Sequence, residues 1–537
     1  MKAHTGTGHL IRLILRQDRF ILPGWIAMIV LVGIGTISYY HGLLDAPEAR
    51  AALAADVATT PALLAFNGPL TGASLDIMST WRMRDLSYTL IAAMTLMTVI
   101  RHTRTEEESG RLELVGSARV GRYAALTAAI TVGLSSAVIA ALFVAAGMIG
   151  QGLDPAGALC YAAAAAATGA VFAGVAAIVA QIAGTGRTAL GLGAVVLGLS
   201  YILRFAADGS GSTWLSWATP LGWAHQVQPF ASERWPVLAL PLAVAAALIV
   251  LSQILLTHRD FGAGLIPERA GRARGRIASA ASLAWRQQRG MLLAWTAAYG
   301  VAGVFFGGLV SAIGSAPDAL GGSPVLQGFL DRYAGAGGAT SADVFIWVVA
   351  LTLGYTAALY PALVIARVRS EEASGRAELL LSTSTARTTW AGTHAIIALN
   401  GTVVVLAAGG LVAGVIISSS SSGHFTPWPT IAAVLIQAPA AWILGALTLL
   451  TLGLLPRATT AIAWAGFLFI QLFELVGPIA GLDFRIVEWI IPYFHIPRIL
   501  TGDSFSSLPL IGLTLITCIL AGTGLVALRR RDLQTSA

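Results

Sequence analysis

Residues 101–114 read R-H-T-R-T-E-E-E-S-G-R-L-E-L, and residues 367–380 read R-V-R-S-E-E-A-S-G-R-A-E-L-L. We call these two segments the first elbow and the second elbow. A shift of 265 positions superposes an arginine, two glutamates, a serine, a glycine, a second arginine and a third glutamate. Each elbow lies between two apolar runs, and charge of this density is costly in hydrocarbon. The elbows are therefore expected at a membrane surface, as two copies of one structural element that arose by duplication.

The composition is that of a membrane protein. Of the 537 residues, 56% are apolar and 11% are charged, whereas soluble globular proteins carry about 25% charge. Cys160 and Cys518 both lie in apolar runs, so the sequence indicates neither a disulfide framework nor a cysteine metal site. Lys2 is the only lysine, and a Walker A loop needs a lysine on the phosphates of ATP. If ATP drives transport, another chain binds the ATP and its Mg²⁺.

Twelve apolar runs approach the roughly twenty residues that a helix needs to cross a bilayer. They lie near 21–40, 83–101, 123–150, 157–182, 188–206 and 237–256, and then near 291–313, 343–366, 388–417, 427–452, 458–480 and 508–528. The pattern predicts an all-α polytopic membrane protein with twelve transmembrane helices in two six-helix halves. We place the first half at 1–260, a basic cytoplasmic linker at 261–280 and the second half at 281–537.

The duplication extends beyond the elbows. The sequence L-R-Q-D-R at Leu15–Arg19 matches W-R-Q-Q-R at Trp285–Arg289, and the pair R-D at 259–260 matches the pair at 531–532. Because each half has an even number of spans, both halves insert in the same sense and are pseudo-symmetric about an axis along the membrane normal. A short amphipathic helix is expected at the interface before the first span of each half.

The basic residues predict the orientation of the chain. Of the 33 lysines and arginines, 25 fall on the side that holds the N-terminus and both elbows. Because positive charge is enriched in cytoplasmic loops, both termini and both elbows are predicted to be cytoplasmic.

The order of charges within each elbow suggests a surface helix. We expect the leading glutamates in the first turn of a short helix, where the helix dipole favours negative charge. Glu107 with Arg111, and Glu372 with Arg376, would then form i,i+4 ion pairs. Such a helix presents fixed charges to the basic groove of a partner. The alternative is a hydrophilic turn that only follows the positive-inside rule, but this explains neither the glutamates nor the repeated Gly-Arg.

The chain resembles a particular group of permeases over its whole length. Twelve spans in two like halves, an interfacial helix before each half and R-x-E-E-x-S-G-R-x-E after each second span are similar to the fused-dimer permeases of bacterial ABC-2-type exporters. These are exporters of the polyketide-antibiotic and tetronasin-resistance kind. The resemblance implies a permease of the plasma membrane that moves hydrophobic or amphipathic small molecules outward. It also implies a separately encoded nucleotide-binding ATPase subunit, in two copies, one for each elbow.

The same resemblance implies which residues couple the permease to that ATPase. The expected coupling residues are Glu106, Glu107, Gly110, Arg111 and Glu113 in the first elbow, and Glu371, Glu372, Gly375, Arg376 and Glu378 in the second. Position 108 departs from the repeat, because Glu108 stands opposite Ala373, and it receives no role.

Two charges inside the fifth spans form a second candidate site. Arg204 and Glu474 each lie seventeen residues beyond matching arginines, Arg187 and Arg457. Since a lone charge within the bilayer costs roughly 2.5–3.5 kcal/mol on insertion scales, we expect the two to face each other near the outer end of the pathway. They would act there as a gate or a substrate contact, unless each merely reaches the outer interface.

Two other classes of protein compete with the exporter. An ion-coupled secondary multidrug transporter of the major facilitator type also has two six-span halves, but its loop motif is G-x-x-x-D-R-x-G-R-R rather than glutamate-rich. An integral membrane enzyme would need a polar catalytic cluster, and the sequence shows none. We expect no catalytic residues, no bound metal and no nucleic-acid partner.

Overall fold

The computed structural model describes residues 3–59, 64–65, 67–116, 119–260, 262–266, 279–314, 340–420, 426–476, 490–501 and 505–532. Within these ranges the chain is helical and contains no strand. It divides into two compact units, Met1–Gly271 and Arg272–Ala537. In each unit we call the side at which the elbow lies the elbow end, and the opposite side the far end.

The first unit contains an interfacial helix, the elbow and six long helices. Its main helices are α1 (Thr7–Gln17), α2 (Ile21–Leu43), α3 (Pro47–Thr59), α4 (Leu75–Ile100), α5 (Arg111–Gly116), α6 (Ala124–Gly150), α7 (Pro155–Ile182), α8 (Gly186–Ser210), α9 (Pro220–Gln226) and α10 (Ala239–Thr257).

The second unit follows the same order. Its main helices are α11 (Ala280–Gly314), α12 (Ser341–Ala357), α13 (Leu359–Ala373), α14 (Arg376–Leu381), α15 (Arg387–Ser420), α16 (Pro427–Leu435), α17 (Ala438–Leu454), α18 (Thr459–Val476) and α19 (Leu508–Arg530).

Eleven helical segments of the described residues are long and apolar enough to cross a membrane. The prediction of an all-α polytopic membrane protein is therefore confirmed. The predicted span 458–480 corresponds to α18, whose apolar stretch Thr459–Gln471 is shorter, and residues 477–489 lie outside the described part of the chain. The second span begins at Leu75 rather than near 83, because Ser74 caps a helix that runs through four charged residues.

The second and fourth spans form the centre of each unit. In the first unit α4 packs against α2, α6, α7 and α8, and α7 also packs against α10. Most of α4 and α7 is buried, whereas most of α8 and α10 is not. The second unit repeats this packing, with α13 against α15 and α17, and α17 against α19. The exposed apolar helices are the surface that a bilayer would cover.

Side-chain caps explain where several spans begin. Asp154 and Thr185 accept hydrogen bonds from backbone N–H groups three residues later, at 2.8 and 3.2 Å. Thr340 and Asp343 form a reciprocal capping box at the start of α12. Each cap satisfies an amide that has no partner within its helix.

The interfacial helices differ between the two units. In the first unit α1 is separate from the span α2, and Asp18 stands at the break. In the second unit the predicted interfacial segment is continuous with the first span, as the single helix α11. The equivalent of Asp18 is Gln288, which is buried within α11 and fits a helix interior better than aspartate does.

Close packing of α17 and α19 yields a test of the fold. A Cβ at Gly524 would lie 2.6 Å from the carbonyl oxygen of Leu449, whereas a Cβ at Gly522 would meet no atom within 4 Å. Gly524→Ala should therefore lower the free energy of unfolding by about 1–3 kcal/mol, since two helix backbones must separate. Gly522→Ala should be neutral or slightly stabilising. Thermal unfolding of the detergent-purified protein measures both variants, and equal effects would contradict the packing.

Candidate functional site

Each elbow begins as a continuation of the second span. In the first unit α4 passes into a π-helical turn at Arg101–Thr105 and a further helical turn at Glu106–Glu108, while α13 runs to Ala373. The chain then turns at Gly110, with φ of 74°, or at Gly375, with φ of 73°. A Cβ at either glycine would meet no atom within 4 Å. The left-handed backbone, not a lack of space, therefore requires glycine at both turns.

This path places the leading glutamates at the end of a helix. Glu106–Glu108 and Glu371–Glu372 precede the glycine turn, where the helix dipole disfavours negative charge by about 0.3–1 kcal/mol. The prediction that they occupy the first turn of a short helix is wrong, because the span continues through the charged residues. Glu113 and Glu378 do lie in the first turn of the helices that follow, α5 and α14.

The carboxylate of Glu107 is the centre of a buried ion cluster. Arg259, two residues beyond α10, donates from both terminal nitrogens to its two oxygens at 2.6 and 2.7 Å. Arg104 Nη1 lies 3.1 Å from the same carboxylate, and the N–H of Gly262 donates to it at 2.7 Å. The three side chains are only 1–7% exposed. We call Arg104, Glu107 and Arg259 the first anchor, because they join the elbow to the end of the sixth span.

The second unit repeats this anchor with the equivalent residues. Arg531, which directly follows α19, donates to both oxygens of Glu372 at 2.5 and 2.7 Å. Arg369 Nη1 lies 3.5 Å from Glu372 Oε2. We call Arg369, Glu372 and Arg531 the second anchor. The R-D match at 259–260 and 531–532, noted in the sequence as a mere repeat, thus supplies the bidentate arginine of each anchor.

The predicted i,i+4 pairs are wrong in both elbows. The pairs that form instead are Arg111 with Glu106, at 3.5 Å, and Arg376 with Glu371, at 3.1 Å. The glycine turn between the glutamates and the second arginine interrupts the helical spacing that the prediction assumed. The buried carboxylates are thereby left to the anchors.

In the first unit the elbow also touches the fourth and fifth spans. Arg104 Nε donates to the carbonyl oxygen of Gly184 at 3.0 Å, just beyond α7. Glu108 accepts a hydrogen bond from the N–H of Gly186 at 2.8 Å, at the start of α8. This contact explains the departure at position 108, since the alanine at 373 cannot make it. A displacement of the first elbow would therefore be transmitted to spans two, four, five and six.

The first elbow is tied to the interfacial helix as well. His102 Nε2 and Asp18 Oδ2 lie 2.6 Å apart, and both side chains are 1% exposed. Arg101 Nη1 approaches the other oxygen of Asp18 at 3.3 Å. In the second unit Gln288 Nε2 lies 3.0 Å from His394 Nδ1 and donates to the carbonyl oxygen of Val364. Both units thus use a buried polar contact where the interfacial helix meets the second span.

A groove lies beside each elbow. The interfacial helix, the elbow and the start of the third span enclose about 270 Å³ in the first unit and about 190 Å³ in the second. Matching residues line the two grooves, among them Leu13 and Leu283, and Gln17 and Gln287. The duplication has therefore copied a surface feature together with the elbow.

The predicted coupling residues divide into a buried set and an exposed set. Glu107 and Glu372 are buried within the anchors. The side chains of Arg111 and Arg376 are 68% and 60% exposed, and Glu113 and Glu378 are also exposed. Only the exposed set can meet a partner directly, which sequence reasoning did not distinguish.

Arg204 belongs to a separate charge cluster at the far end of the first unit. Its Nη1 lies 3.1 Å from Asp85 Oδ2 and 3.3 Å from Asp208 Oδ2. His225 Nε2 contacts the other oxygen of Asp85, and Arg84 Nη2 lies 3.4 Å from His225 Nδ1. All five side chains are at most 7% exposed. The far cluster, as we call these five residues, neutralises Arg204 within its own unit.

The far cluster also holds the segment that precedes α4. Arg204 donates to the carbonyl oxygen of Ala65 at 3.0 Å, and Arg84 donates to that of Asn67 at 2.9 Å. The indole N–H of Trp81 donates to the carbonyl oxygen of Gly68 at 2.8 Å. The cluster therefore fastens this segment across the far ends of α4 and α8.

The pairing of Arg204 with Glu474 stays a prediction. Glu474 lies in α18, but its side chain is outside the described residues. The premise that Arg204 is a lone charge was wrong, because Asp85 and Asp208 pair with it. The shift of 265 places Val349 and Ala350 at the positions of Arg84 and Asp85, so this part of the cluster is particular to the first unit.

Within the described ranges, the carboxylates, histidines and cysteines form no group that could hold a metal ion.

Two like units of apolar helices, each with an elbow fixed to its sixth span, define a duplicated membrane permease. The family described as "Multidrug efflux system permease Rv1217c, C-terminal domain" matches residues 8–256 and again residues 277–529, and the chain belongs to this family.

A permease from Mycobacterium tuberculosis is similar over nearly its full length. The multidrug efflux system permease protein Rv1217c of Mycobacterium tuberculosis (strain ATCC 25618 / H37Rv) is 38% identical over 536 residues, which cover 99% of this chain and 96% of that protein. The two matches confirm the resemblance to multidrug-efflux permeases of the fused-dimer kind.

Neutralising the buried carboxylate tests the first anchor. Glu107→Gln leaves Arg104 and Arg259 buried without their counter-ion, so it should cost about 3–5 kcal/mol of stability. Arg259→Gln should cost less, because Arg104 still faces Glu107. Glu113→Gln is the exposed control and should stay within about 0.5 kcal/mol. Thermal unfolding and amide exchange of residues 101–116 measure the series. If the anchor does not stabilise the fold, the three variants will have the same stability.

Removing Arg204 tests the far cluster. Arg204→Gln leaves Asp85 and Asp208 close together and buried, so we expect a loss of at least about 3 kcal/mol. Adding Asp208→Asn should recover part of this loss, since it removes one of the two carboxylate charges. The exposed Arg234→Gln serves as the matched control. Thermal unfolding that shows no recovery in the double variant would contradict the assigned pairing.

Proposed function

We propose that this chain is the membrane-spanning subunit of an ATP-driven ABC exporter, and that its elbows couple it to a separate ATPase. The observation that carries the proposal is the duplicated anchor. In each unit a buried glutamate of the elbow forms an ion pair with an arginine at the end of the sixth span. A force applied to an elbow would reach spans two and six together. ATP and Mg²⁺ would bind to the partner, since the only lysine is Lys2.

The surface that meets the ATPase combines charge with apolar contact. The exposed charges among the predicted coupling residues are Arg111 and Glu113 in the first elbow and Arg376 and Glu378 in the second. Leu379, in the second elbow, is 78% exposed, and the adjacent grooves have apolar walls. Because the surface occurs once in each unit, it supports two ATPase copies, one on each elbow.

The proposal also assigns orientation and cargo. ATP is available in the cytoplasm, so the elbows and both termini face the cytoplasm of a bacterial plasma membrane. This agrees with the excess of arginine on the elbow side. The similarity to a multidrug efflux system permease supports hydrophobic or amphipathic small molecules, such as antibiotics, drugs or lipids, as cargo.

Charge reversal on the exposed face tests the coupling role. The full chain would be co-expressed with a candidate ATPase subunit from the same organism, purified in detergent and assayed for bound ATPase and ATP hydrolysis. Glu113→Arg together with Glu378→Arg should reduce ATPase recovery at least tenfold, because they reverse charge where the partner docks. The matched control is Glu48→Arg, an exposed glutamate in α3 at the far end.

The choice of residues keeps the result interpretable. Reversing Glu107 or Glu372 would break an anchor and could release the partner through misfolding alone. If the exposed double variant retains the ATPase, the elbows are not its docking sites. If the native chain binds no ATPase and an ion gradient alone drives efflux from vesicles, a secondary transporter replaces the proposal.

A further inference from the structure

A cavity of about 290 Å³ lies at the elbow end of the first unit. It adjoins the groove beside α1, because Leu112 and Ala125 line both, and it takes its other walls from the elbow, the start of α6, the end of α7 and the end of α10. The apolar walls include Leu112, Val120 and Leu256, and the polar wall includes Glu107, Arg259 and Arg122. The cavity thus combines an apolar lining with guanidinium groups where three spans end.

Arg122 is the group in this cavity whose charge is available to a ligand. Glu107 and Arg259 satisfy each other within the first anchor. Arg122 donates to the carbonyl oxygen of Leu256 at 3.0 Å, and it makes no ion pair with any described carboxylate. Asp260 also lines the cavity but is exposed to solvent. The charged residues that line the cavity are Glu107, Arg122, Arg259 and Asp260, and their charges sum to zero. Because Glu107 and Arg259 pair with each other and Asp260 faces solvent, Arg122 is the cation in this lining that is left to meet an anion.

The position of the cavity indicates where its ligand comes from. Arg122 precedes the start of α6 by two residues, and Leu256 lies in the last turn of α10. This is the level at which the spans leave the hydrocarbon. On α10, Val250 and Ile254 are 55% and 48% exposed, so acyl chains can lie along the helix that lines the cavity. Basic pockets between spans at this level suit anionic lipid headgroups.

We propose that this cavity binds the headgroup of an anionic phospholipid from the leaflet on the elbow side, with the phosphate on Arg122. The glycerol and the upper acyl chains lie against Leu112, Val120 and Leu256. Because Glu107 and Arg259 form part of the same wall, the bound lipid rests directly on the first anchor and holds the elbow against the sixth span. This inference does not depend on what powers the permease.

Native mass spectrometry of the purified full chain, titrated with phosphatidylglycerol, tests the site. Arg122→Gln should weaken binding about fivefold, the effect of roughly one arginine at an anionic membrane surface. Arg122→Lys should restore most of the binding, because it keeps the charge. Arg119→Gln removes an exposed arginine three residues away that does not line the cavity and should leave binding unchanged. Leu256→Trp should weaken binding by filling the cavity while every charge remains.

Three results would overturn the proposal. Equal losses in Arg122→Gln and Arg119→Gln would mean that surface charge, and not this cavity, attracts the lipid. Displacement of the lipid by inorganic phosphate or glycerol phosphate at equal concentration would make this a free-phosphate site. Loss of a bound protein subunit from Arg122→Gln, with lipid binding unchanged, would make the cavity part of a protein interface.

Discussion

A carboxylate at the wrong end of a helix organises each half of this protein. Glu107 and Glu372 stand where the helix dipole disfavours them and where little water reaches them. A buried charge of this kind is tolerated only when it is closely paired and hydrogen-bonded. The bidentate arginines Arg259 and Arg531 supply that pairing from the end of the sixth span. The elbow, the second span and the sixth span are thus joined at one point in both units.

The two halves share this anchor but differ around it. In the first unit Glu108 reaches the start of the fifth span, and Asp18 pairs with His102. The far cluster also differs between the units. In the second unit, the apolar residues Val349 and Ala350 stand at the positions of Arg84 and Asp85. Among the residues that the structure describes, the first half therefore holds more buried charge than the second at both ends of its spans. After the duplication, both halves kept the anchor, while the polar contacts around it diverged.

Much of the fold followed from the sequence, because apolar runs and a repeated charged segment are local signals. The repeated elbows and the long apolar helices are of this kind. The partners of the buried charges are not, since Glu107 and Arg259 are 152 residues apart, and the R-D repeat did not show what Arg259 binds. The second span was predicted to begin too late for a similar reason. Arg84 and Asp85 suggest a helix end until Arg204 and His225 are seen to pair with Asp85, and Arg84 is seen to donate to the carbonyl oxygen of Asn67.

The most direct measurement is the distance between the first elbow and the sixth span in different nucleotide states. Spin labels at positions 111 and 257, both exposed, would be placed in a chain whose two cysteines have been replaced, in complex with the proposed ATPase. A rigid anchor predicts a narrow 111–257 distance that is the same with and without ATP, while the 111–376 distance between the two elbows changes. A shift of several ångströms between 111 and 257 would contradict the account, because the elbow would then move independently of the span that it is proposed to drive.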